Sequence, residues 1–530
     1  MLFASYGFIA FIAILFIVYY LIPKKYQWML LLLASYVFYL FAGPKYILYI
    51  VFTTVSTYII SLRIDKLNQT QAQYLAKYKE DLSRADKRAY RDMMKGRMRR
   101  WLVACLLLNF GILAVVKYSN FAIANLNAIF QAFGGQGQLS FLDIALPMGI
   151  SFYTFQTMGY IIDVYRGKYP PEKNIFKLAL FVSFFPQLVQ GPISRFDDLS
   201  RTLFKEHSFE HRNFSFGMQR IMWGYFKKLV IADRILVAVN TIIRDPEVYQ
   251  GAFALVGMLF YAFQLYADFT GGIDITIGIA QVLGIEVKEN FNRPYFSKSI
   301  AEYWRRWHIT LGTWFRDYLF YPISVSKPMM KVFKFTRERF GGAIGRRIPV
   351  YISTITVWFV TGIWHGASWN FIAWGMANCV VIIISQELEP FYTWFHSKFK
   401  VGNTFGFRLF QVLRTVLLMS SIRMFDCYRD VPTTFRMFGS MFTVFNYREL
   451  FGGALLELGL SMADYWVLFM GLIALLGVSL AQRKGSVRLK LAQGSDLLRY
   501  AVYSFMFIII LIFGAYGVGY DSSQFIYNQF

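Results

Sequence analysis

Cysteine is scarce in this chain, and its scarcity argues against several kinds of function. Three cysteines occur in 530 residues, at Cys105, Cys379 and Cys427. Their spacing matches neither a disulfide framework nor a cysteine zinc site. The chain also lacks a Gly-rich phosphate-binding loop and a Gly-x-Ser-x-Gly nucleophile turn. We therefore predict no metal site. For Cys427 we expect a buried side chain that packs as a small hydrophobic residue, with a reactive thiol as the alternative.

Charge is scarce as well. Charged residues make up 16% of the chain and hydrophobic residues 56%, with a mean hydropathy of +0.41, whereas about a quarter of a soluble protein is charged. Apolar runs long enough for transmembrane helices recur along the chain. We predict an all-α polytopic membrane protein with roughly ten to twelve transmembrane or re-entrant helices. The clearest runs are Ser5–Leu21, Trp28–Phe41, Tyr46–Leu62, Trp101–Val116, Val350–Ile363, Phe371–Ile384, Val467–Leu480 and Tyr500–Val518.

Positive charge is concentrated between the apolar runs. The net charge is +24, and the basic clusters lie in Arg63–Arg100, Lys327–Arg347 and Gln482–Lys490. The positive-inside rule places these clusters in the cytosol, against anionic lipid headgroups. This pattern favours a membrane surface over nucleic acid as the partner of the basic residues. We expect residues 63–100 to form a cytosolic amphipathic insert, with a helix lying on the membrane surface.

The first apolar run is predicted to be a retained span of the plasma membrane. It has no positively charged segment before it and no small-residue cleavage site, and Lys24 and Lys25 follow it. This arrangement places the N-terminus outside the cell.

Polar and small residues interrupt two apolar stretches, Phe141–Arg195 and Gln264–Asp274. Such residues are tolerated at membrane depth where they are packed in protein or line a wet cavity. Small residues also permit close helix crossings. Cavity walls and tight crossings both remain open for these stretches.

Two of the five histidines lie in apolar, aromatic surroundings. His365 follows the cytosolic Arg347 by eighteen residues, on the order of 25 Å along a helix, so it should lie deep in the bilayer. His308 lies in a segment that we expect to be one helix through Tyr318, at the interface or dipping into a cavity. An ionisable ring at such depth usually has a function, although a packing histidine and an aromatic interface anchor are the alternatives.

A neutral imidazole suits a general base that takes a proton from a hydroxyl nucleophile. Acyl transfer from a thioester also needs a donor for the developing oxyanion. The candidates for this donor, or for lining a tunnel, are Trp304, Arg305, Trp307, Trp364 and Asn370, with His308 beside them.

Several motifs resemble those of the membrane-bound O-acyltransferase family. The most specific are YWRRWHITLGTWFRDYLF around His308 and TGIWHGASWNFIAWG around His365. The stretches LPMGISFYTFQTMGYIIDVYRG (Leu146–Gly167) and FFPQLVQGPISR (Phe184–Arg195) are also similar.

The resemblance implies a single domain over residues 1–530, with helices in a ring around a central tunnel or funnel. It implies that His365 is catalytic and that His308 is its partner. It further implies no bound cofactor, a cytosolic thioester donor (acetyl-CoA or a phosphopantetheine carrier protein) and an extracytoplasmic polysaccharide acceptor. A separate extracytoplasmic acyltransferase is the implied partner.

Two alternatives stay open beside polysaccharide O-acetylation. A sister branch transfers D-alanine from a carrier protein to teichoic acid, and the polar inserts of this chain favour the acetylating branch. A transporter or flippase, from a different functional class, would line a substrate path with the same polar residues and do no covalent chemistry.

The C-terminal tail, residues 519–530, also resembles the family and is predicted to lie outside the cell. A Phe-x-Tyr pattern in the sister branch suggests that Tyr527 is an acyl relay at the outer mouth. An aromatic anchor at the membrane interface is the alternative for Tyr527.

Overall fold

The computed structural model describes residues 3–135 and 137–516. Within these ranges every regular element is a helix, which confirms the all-α prediction. In the described part of the chain, eight helices are long and apolar enough to cross a membrane, by length and composition. The predicted count of ten to twelve is not confirmed. The eight candidate spans are Pro44–Lys77, Arg84–Ala132, Ala252–Val282, Lys327–His365, Trp369–Glu387, Phe405–Tyr428, Met462–Lys484 and Asp496–Phe513.

The chain divides into two compact units. The first contains residues 7–214 and 280–287. Its helices are α1 (Tyr6–Leu21), α2 (Gln27–Leu40), α3 (Ile47–Lys77), α4 (Arg84–Ala132), α5 (Ile150–Tyr165), α6 (Ile175–Ser183), α7 (Phe185–Leu188) and α8 (Phe196–Leu203).

The second unit contains residues 215–279 and the described chain from residue 288 onward. Its helices are α9 (His211–Tyr225), α10 (Asp233–Arg244), α11 (Ala252–Val282), α12 (Ile300–Arg306), α13 (Ile309–Phe315), α14 (Tyr321–Ser324), α15 (Lys327–His365), α16 (Trp369–Glu387), α17 (Glu389–Phe399), α18 (Phe405–Tyr428), α19 (Val431–Thr443), α20 (Met462–Ala481), α21 (Val487–Gln493) and α22 (Asp496–Phe513). The start of α9 lies before residue 215 and thus in the first unit.

We expected the polar insert, residues 63–100, to contain a helix on the membrane surface, but it forms no separate helix. It consists of the end of α3, a turn, and the start of α4. Ser83 caps α4, and its hydroxyl accepts a hydrogen bond from the backbone N–H of Asp86 at 3.1 Å. The helical spacing of charges that suggested a surface helix belongs to the polar ends of two long helices.

The polar residues of Phe141–Arg195 are packed inside the first unit. Gln156 donates a side-chain hydrogen bond to the carbonyl of Phe181 at 2.8 Å, and Gln187 donates to Ser194 at 2.5 Å. Gly149 has a φ of 72°, and a Cβ there would lie 2.2 Å from the carbonyl oxygen of Leu188. This stretch therefore shows the close-packing alternative.

In the second unit, a buried ion cluster joins three helical segments. Lys228 lies in a π-helical stretch between α9 and α10, and its Nζ is 2.7 Å from carboxylate oxygens of both Asp233 and Asp268. All three side chains are almost fully buried. Buried charges are stable only when they are paired in this way. The cluster therefore links α11 to the π-helical stretch and to the start of α10.

Helices α15 and α16 form an antiparallel hairpin that carries His365 at its tip. Glycine allows their backbones to approach closely: a Cβ on Gly362 would lie 2.6 Å from the carbonyl oxygen of Phe371, and one on Gly375 would lie 2.5 Å from that of Trp358. The hairpin therefore depends on the absence of two side chains.

We expect Gly375→Ala to lower the melting temperature of the detergent-solubilised protein, because overpacking of this kind typically costs about 1–3 kcal/mol. Gly477→Ala is the matched control, because this helical glycine of α20 has nothing within 4 Å of the added Cβ. Helix propensity favours alanine there by up to about 1 kcal/mol. A Gly375→Ala protein that melts at or above the wild-type temperature would show that the hairpin contact is misplaced.

Candidate active site

His308 lies at a break between two short helices. We expected one helix through Tyr318, but α12 ends at Arg306 and α13 begins at Ile309. His308 has a φ of 47° and a ψ of 54°, in the left-handed region that few non-glycine residues adopt. Strain of this kind persists only where the surrounding structure enforces it.

Asn290 is the residue that holds the break. Its side-chain oxygen accepts hydrogen bonds from the backbone N–H of Thr310 at 3.0 Å and from the hydroxyl of Thr310 at 2.9 Å. The same oxygen lies 3.2 Å from Nδ1 of His308. The Asn290 atom that accepts from the backbone N–H of Thr310 must be the amide oxygen, because the amide nitrogen can only donate. Nδ1 of His308 therefore carries the proton and donates it to this oxygen. The lone pair of the neutral ring is then on Nε2.

The environment of His308 keeps its ring neutral. Burial and, to a smaller extent, the positive charge of Arg423 together lower the pKa of His308 to about 3. Phe269 packs edge-on against the ring, with centroids 5.0 Å apart. At neutral pH His308 therefore carries no charge.

His365 is the last residue of α15 and is buried among aromatic rings. Its ring centroid lies 5.0 Å from that of Trp364, 4.4 Å from that of Trp374 and 6.5 Å from that of Phe371. The helix ends because Gly366 is extended and leads into the short turn to α16.

Trp364 connects the two histidines. Its ring centroid lies 6.0 Å from that of His308 and 5.0 Å from that of His365. The two imidazole centroids are therefore at most 11 Å apart, the sum of these two distances. Residues 57 positions apart in the chain thus share one indole wall. Both histidines belong to one buried cluster.

Arg423 is a member of this cluster that the sequence did not reveal. It lies on α18, and its guanidinium is 4.9 Å from the ring centroid of Trp307, 5.0 Å from that of Trp374 and 5.7 Å from that of Trp304. Asp426, one turn later, pairs with it at 2.9 Å. An arginine and an aspartate three residues apart within an apolar run were the available signal, since buried charges in spans usually pair.

The other predicted site residues have different environments. Trp304 donates its indole N–H to the side-chain oxygen of Asn378 at 3.2 Å. Asn370 donates to the carbonyl of Phe425 at 3.0 Å and accepts a hydrogen bond from the hydroxyl of Ser368. Both side chains are therefore engaged in holding the fold.

Two further predicted residues are not brought to the histidines. Arg305 is exposed at the end of α12, so it is not part of the buried cluster. Tyr527, with the tail 519–530, lies outside the described residues, and its role as a relay stays a prediction.

A cavity of about 740 Å³ lies next to the His308 side of the cluster. Ile309, which follows His308, lines it, as do Tyr266, Thr270 and Asp274 of the polar stretch in α11. This confirms a cavity wall in Gln264–Asp274, while Gly271 of the same stretch packs closely against Gly224. Both alternatives for this stretch are thus realised, at different residues.

Charged side chains surround one end of this cavity. Arg220 pairs with Asp274 at 2.9 Å and with Glu289 at 2.5 Å, and Lys227 pairs with Asp274 at 2.6 Å. The remaining charged lining residues are Arg293 and Arg488. With four cations and two carboxylates, the lining carries an excess of positive charge.

Comparison with known proteins agrees with the resemblance seen in the motifs. Residues 171–337 match the model of MBOAT, the membrane-bound O-acyltransferase family. The chain is 37% identical over 377 residues to the probable alginate O-acetylase AlgI of Azotobacter vinelandii, covering 70% of this chain and 66% of that protein. It is 34% identical over 370 residues to AlgI of Pseudomonas putida, covering 70% and 67%.

The sister branch is also represented. The chain is 30% identical over 263 residues to the teichoic acid D-alanyltransferase of Bacillus subtilis, covering 47% of this chain and 62% of that protein. The matched regions thus span about two thirds of the length of these relatives, or slightly less. From the shared motifs, the matched region and these identities, the chain belongs to the membrane-bound O-acyltransferase family.

Proposed function

We propose that this chain transfers an acetyl group from a cytosolic thioester to a hydroxyl of a cell-surface or secreted polysaccharide. The observation that carries the proposal is the buried cluster in which Trp364 joins His308 and His365. The similarity to the probable alginate O-acetylases supports acetyl as the group and polysaccharide as the acceptor.

In this proposal His365 is the general base. It removes the proton of the acceptor hydroxyl as the oxygen attacks the thioester carbonyl, and it returns a proton to the departing thiolate. His308 is its helper on the donor side. As a neutral ring with Nδ1–H held by Asn290, it orients the thioester without adding a charge that would compete with proton transfer.

The cavity beside His308 is proposed to receive the donor. Arg488, on α21, belongs to the basic cluster Gln482–Lys490, which the positive-inside rule places in the cytosol. Both acetyl-CoA and a phosphopantetheine carry phosphate groups, and an excess of cations at a cavity mouth attracts such anions. The charge of the cavity therefore fits either donor.

We expect Arg488→Glu to raise KM for the thioester donor about tenfold, the equivalent of 1.4 kcal/mol, with little change in kcat. Lys490→Glu is the matched control. It makes the same change of charge two residues later in α21, at an exposed position that does not line the cavity. Initial rates at varied donor concentration measure both. An equal rise in KM for the two variants would indicate general attraction by the basic surface and would remove the cavity from the proposal.

The identity of the donor is tested on purified protein in lipid nanodiscs. Release of free thiol is measured with acetyl-CoA, with an acetylated carrier protein and with a D-alanylated carrier protein, each in the presence of a soluble polysaccharide acceptor. We expect thiol release with an acetyl donor. Release with the D-alanyl donor alone would favour the sister activity, and movement of polysaccharide without thiol release would favour a transporter.

The setting of the reaction follows from the proposed topology. We infer a multi-pass protein of the plasma membrane with its N-terminus outside, and a separate extracytoplasmic acyltransferase as its partner on that side. Tyr527 is proposed to lie at the outer mouth and to act there as an acyl relay.

A further inference from the structure

Trp374 of α16 is fully buried and packs against the proposed base. Its exposure is 0%, and its ring lies 4.4 Å from that of His365 with the planes 64° apart. Its indole Nε1–H has no hydrogen-bond partner among the described residues. A buried donor without a partner is energetically unfavourable, so the fold carries an unfavourable feature right beside His365.

The indole of the neighbouring Trp304 has a different environment from that of Trp374. Trp304 packs against Trp374 at 5.7 Å, and its own N–H is bonded to Asn378. The same Asn378 donates to the carbonyl of Trp374 at 2.9 Å. Asn378 therefore satisfies the indole N–H of Trp304, whereas at Trp374 it bonds only the backbone carbonyl and leaves the indole N–H without a partner among the described residues.

Arg423 adds positive charge to the face of Trp374. Its guanidinium lies 5.0 Å from the ring centroid and is held by Asp426. A cation over an indole face is attracted by the π electrons. Withdrawal of those electrons makes the N–H a stronger donor toward negative charge.

We propose that the indole N–H of Trp374 donates a hydrogen bond to the oxyanion formed during acyl transfer, and that Arg423 is a positioning residue that acts through this indole. This inference rests on the proposed function and adds a catalytic residue to it. A donor that is unpaired at rest and paired in the transition state contributes to rate, because its interaction is made only there.

The chemical step balances with these residues. The acceptor oxygen forms a bond to the thioester carbonyl carbon while its proton passes to His365, and the carbonyl electron pair moves onto the oxygen that faces Trp374. The pair then returns, the carbon–sulfur bond breaks, and the thiolate takes the proton from His365. The products are an O-acyl ester and a free thiol, and nothing is oxidised or reduced.

The test removes the N–H while keeping the shape of the side chain. In full-length protein, 3-benzothienylalanine at position 374 replaces the indole N–H by sulfur, and Trp374→Phe is a second variant that also lacks the donor. We expect kcat to fall about a hundredfold, the usual effect of losing one oxyanion donor, with KM for acetyl-CoA unchanged. Trp358→Phe is the control: Trp358 lies in the same aromatic cluster, 4.8 Å from Trp304 and 6.1 Å from Trp374.

A double-mutant cycle tests the part played by Arg423. Arg423→Lys keeps the positive charge that pairs with Asp426 but loses the planar guanidinium near the indole. We expect this change to lower kcat about tenfold when Trp374 is present, and hardly at all when position 374 is benzothienylalanine. Equal effects in both backgrounds would show that Arg423 does not act through the indole.

The outcomes separate this inference from the proposed function. Thiol release by the wild-type protein, lost in His365→Ala, supports the function. If the benzothienylalanine protein then keeps the wild-type kcat, or if Trp358→Phe loses as much as Trp374→Phe, the N–H is not the oxyanion donor. If the wild-type protein releases no thiol from any donor, the proposed function itself is wrong.

Discussion

The His365→Ala protein is expected to fold and insert normally and to lose acyl transfer by at least about a thousandfold, within the range for removing a general base. In the proposed mechanism the ring takes the hydroxyl proton, and alanine leaves no basic atom at the end of α15. The measurement is thiol release from acetyl-CoA by nanodisc-embedded protein.

Loss of packing is the competing explanation for such a result. His365 packs against Trp364, Trp374 and Phe371, so alanine also leaves a space. His365→Phe fills that space with an aromatic ring that has no basic nitrogen, and it should be as inactive as His365→Ala while melting near the wild-type temperature. Substantial transfer by a folded His365→Phe protein would contradict a base at this position.

His308→Ala is expected to lower kcat about a hundredfold, and His308→Asn by clearly less. Asparagine tolerates the left-handed conformation that His308 adopts, and its amide retains a polar group beside the donor. Alanine loses the hydrogen bond to Asn290 and strains the break between α12 and α13. Steady-state kinetics of the two purified variants, with circular dichroism as the check on folding, measure the difference.

The pH profile gives this prediction a second readout. Because the pKa of His308 is lowered to about 3 by burial and by Arg423, the ring stays neutral throughout the range in which the enzyme is assayed. A fall in kcat toward acid pH that begins above about pH 5 therefore reports the titration of another group. The His308→Asn protein should show the same fall. Disappearance of that fall in His308→Asn would show that His308 itself titrates during turnover.

The same low pKa affects stability. An unfolded histidine has its usual pKa near 6.5, so below that pH the unfolded chain binds a proton that the folded chain does not. The contribution of neutral His308 to stability is complete above about pH 6.5 and declines as the pH falls. Acid should therefore destabilise the wild-type protein more than His308→Asn.

The sequence predicted those features that depend on local composition. Long apolar runs predicted helices, and the low charge predicted a membrane protein. The spacing between Arg347 and His365 predicted that both lie on one helix, and both lie on α15. Helices alone bury the backbone polar groups within a segment, so apolar runs of sufficient length are a direct signal.

Features that depend on distant residues were missed. The break at His308 is held by Asn290, eighteen residues earlier, and helical spacing gave no sign of it. Arg423 reaches Trp304, Trp307 and Trp374 from α18, and no periodicity relates these positions. Such contacts arise from tertiary packing, which single-sequence patterns do not describe.

The central claim is that His365 acts as the general base in the transfer of acetyl from a cytosolic thioester to polysaccharide. Its most direct test is mass spectrometry of cell-surface and secreted glycans from cells that carry the wild-type gene, a His365→Ala gene or no gene. Acetyl esters are predicted in the first sample and absent from the other two. Acetyl esters in the His365→Ala sample at the wild-type level, or D-alanyl esters as the sole change, would contradict the account.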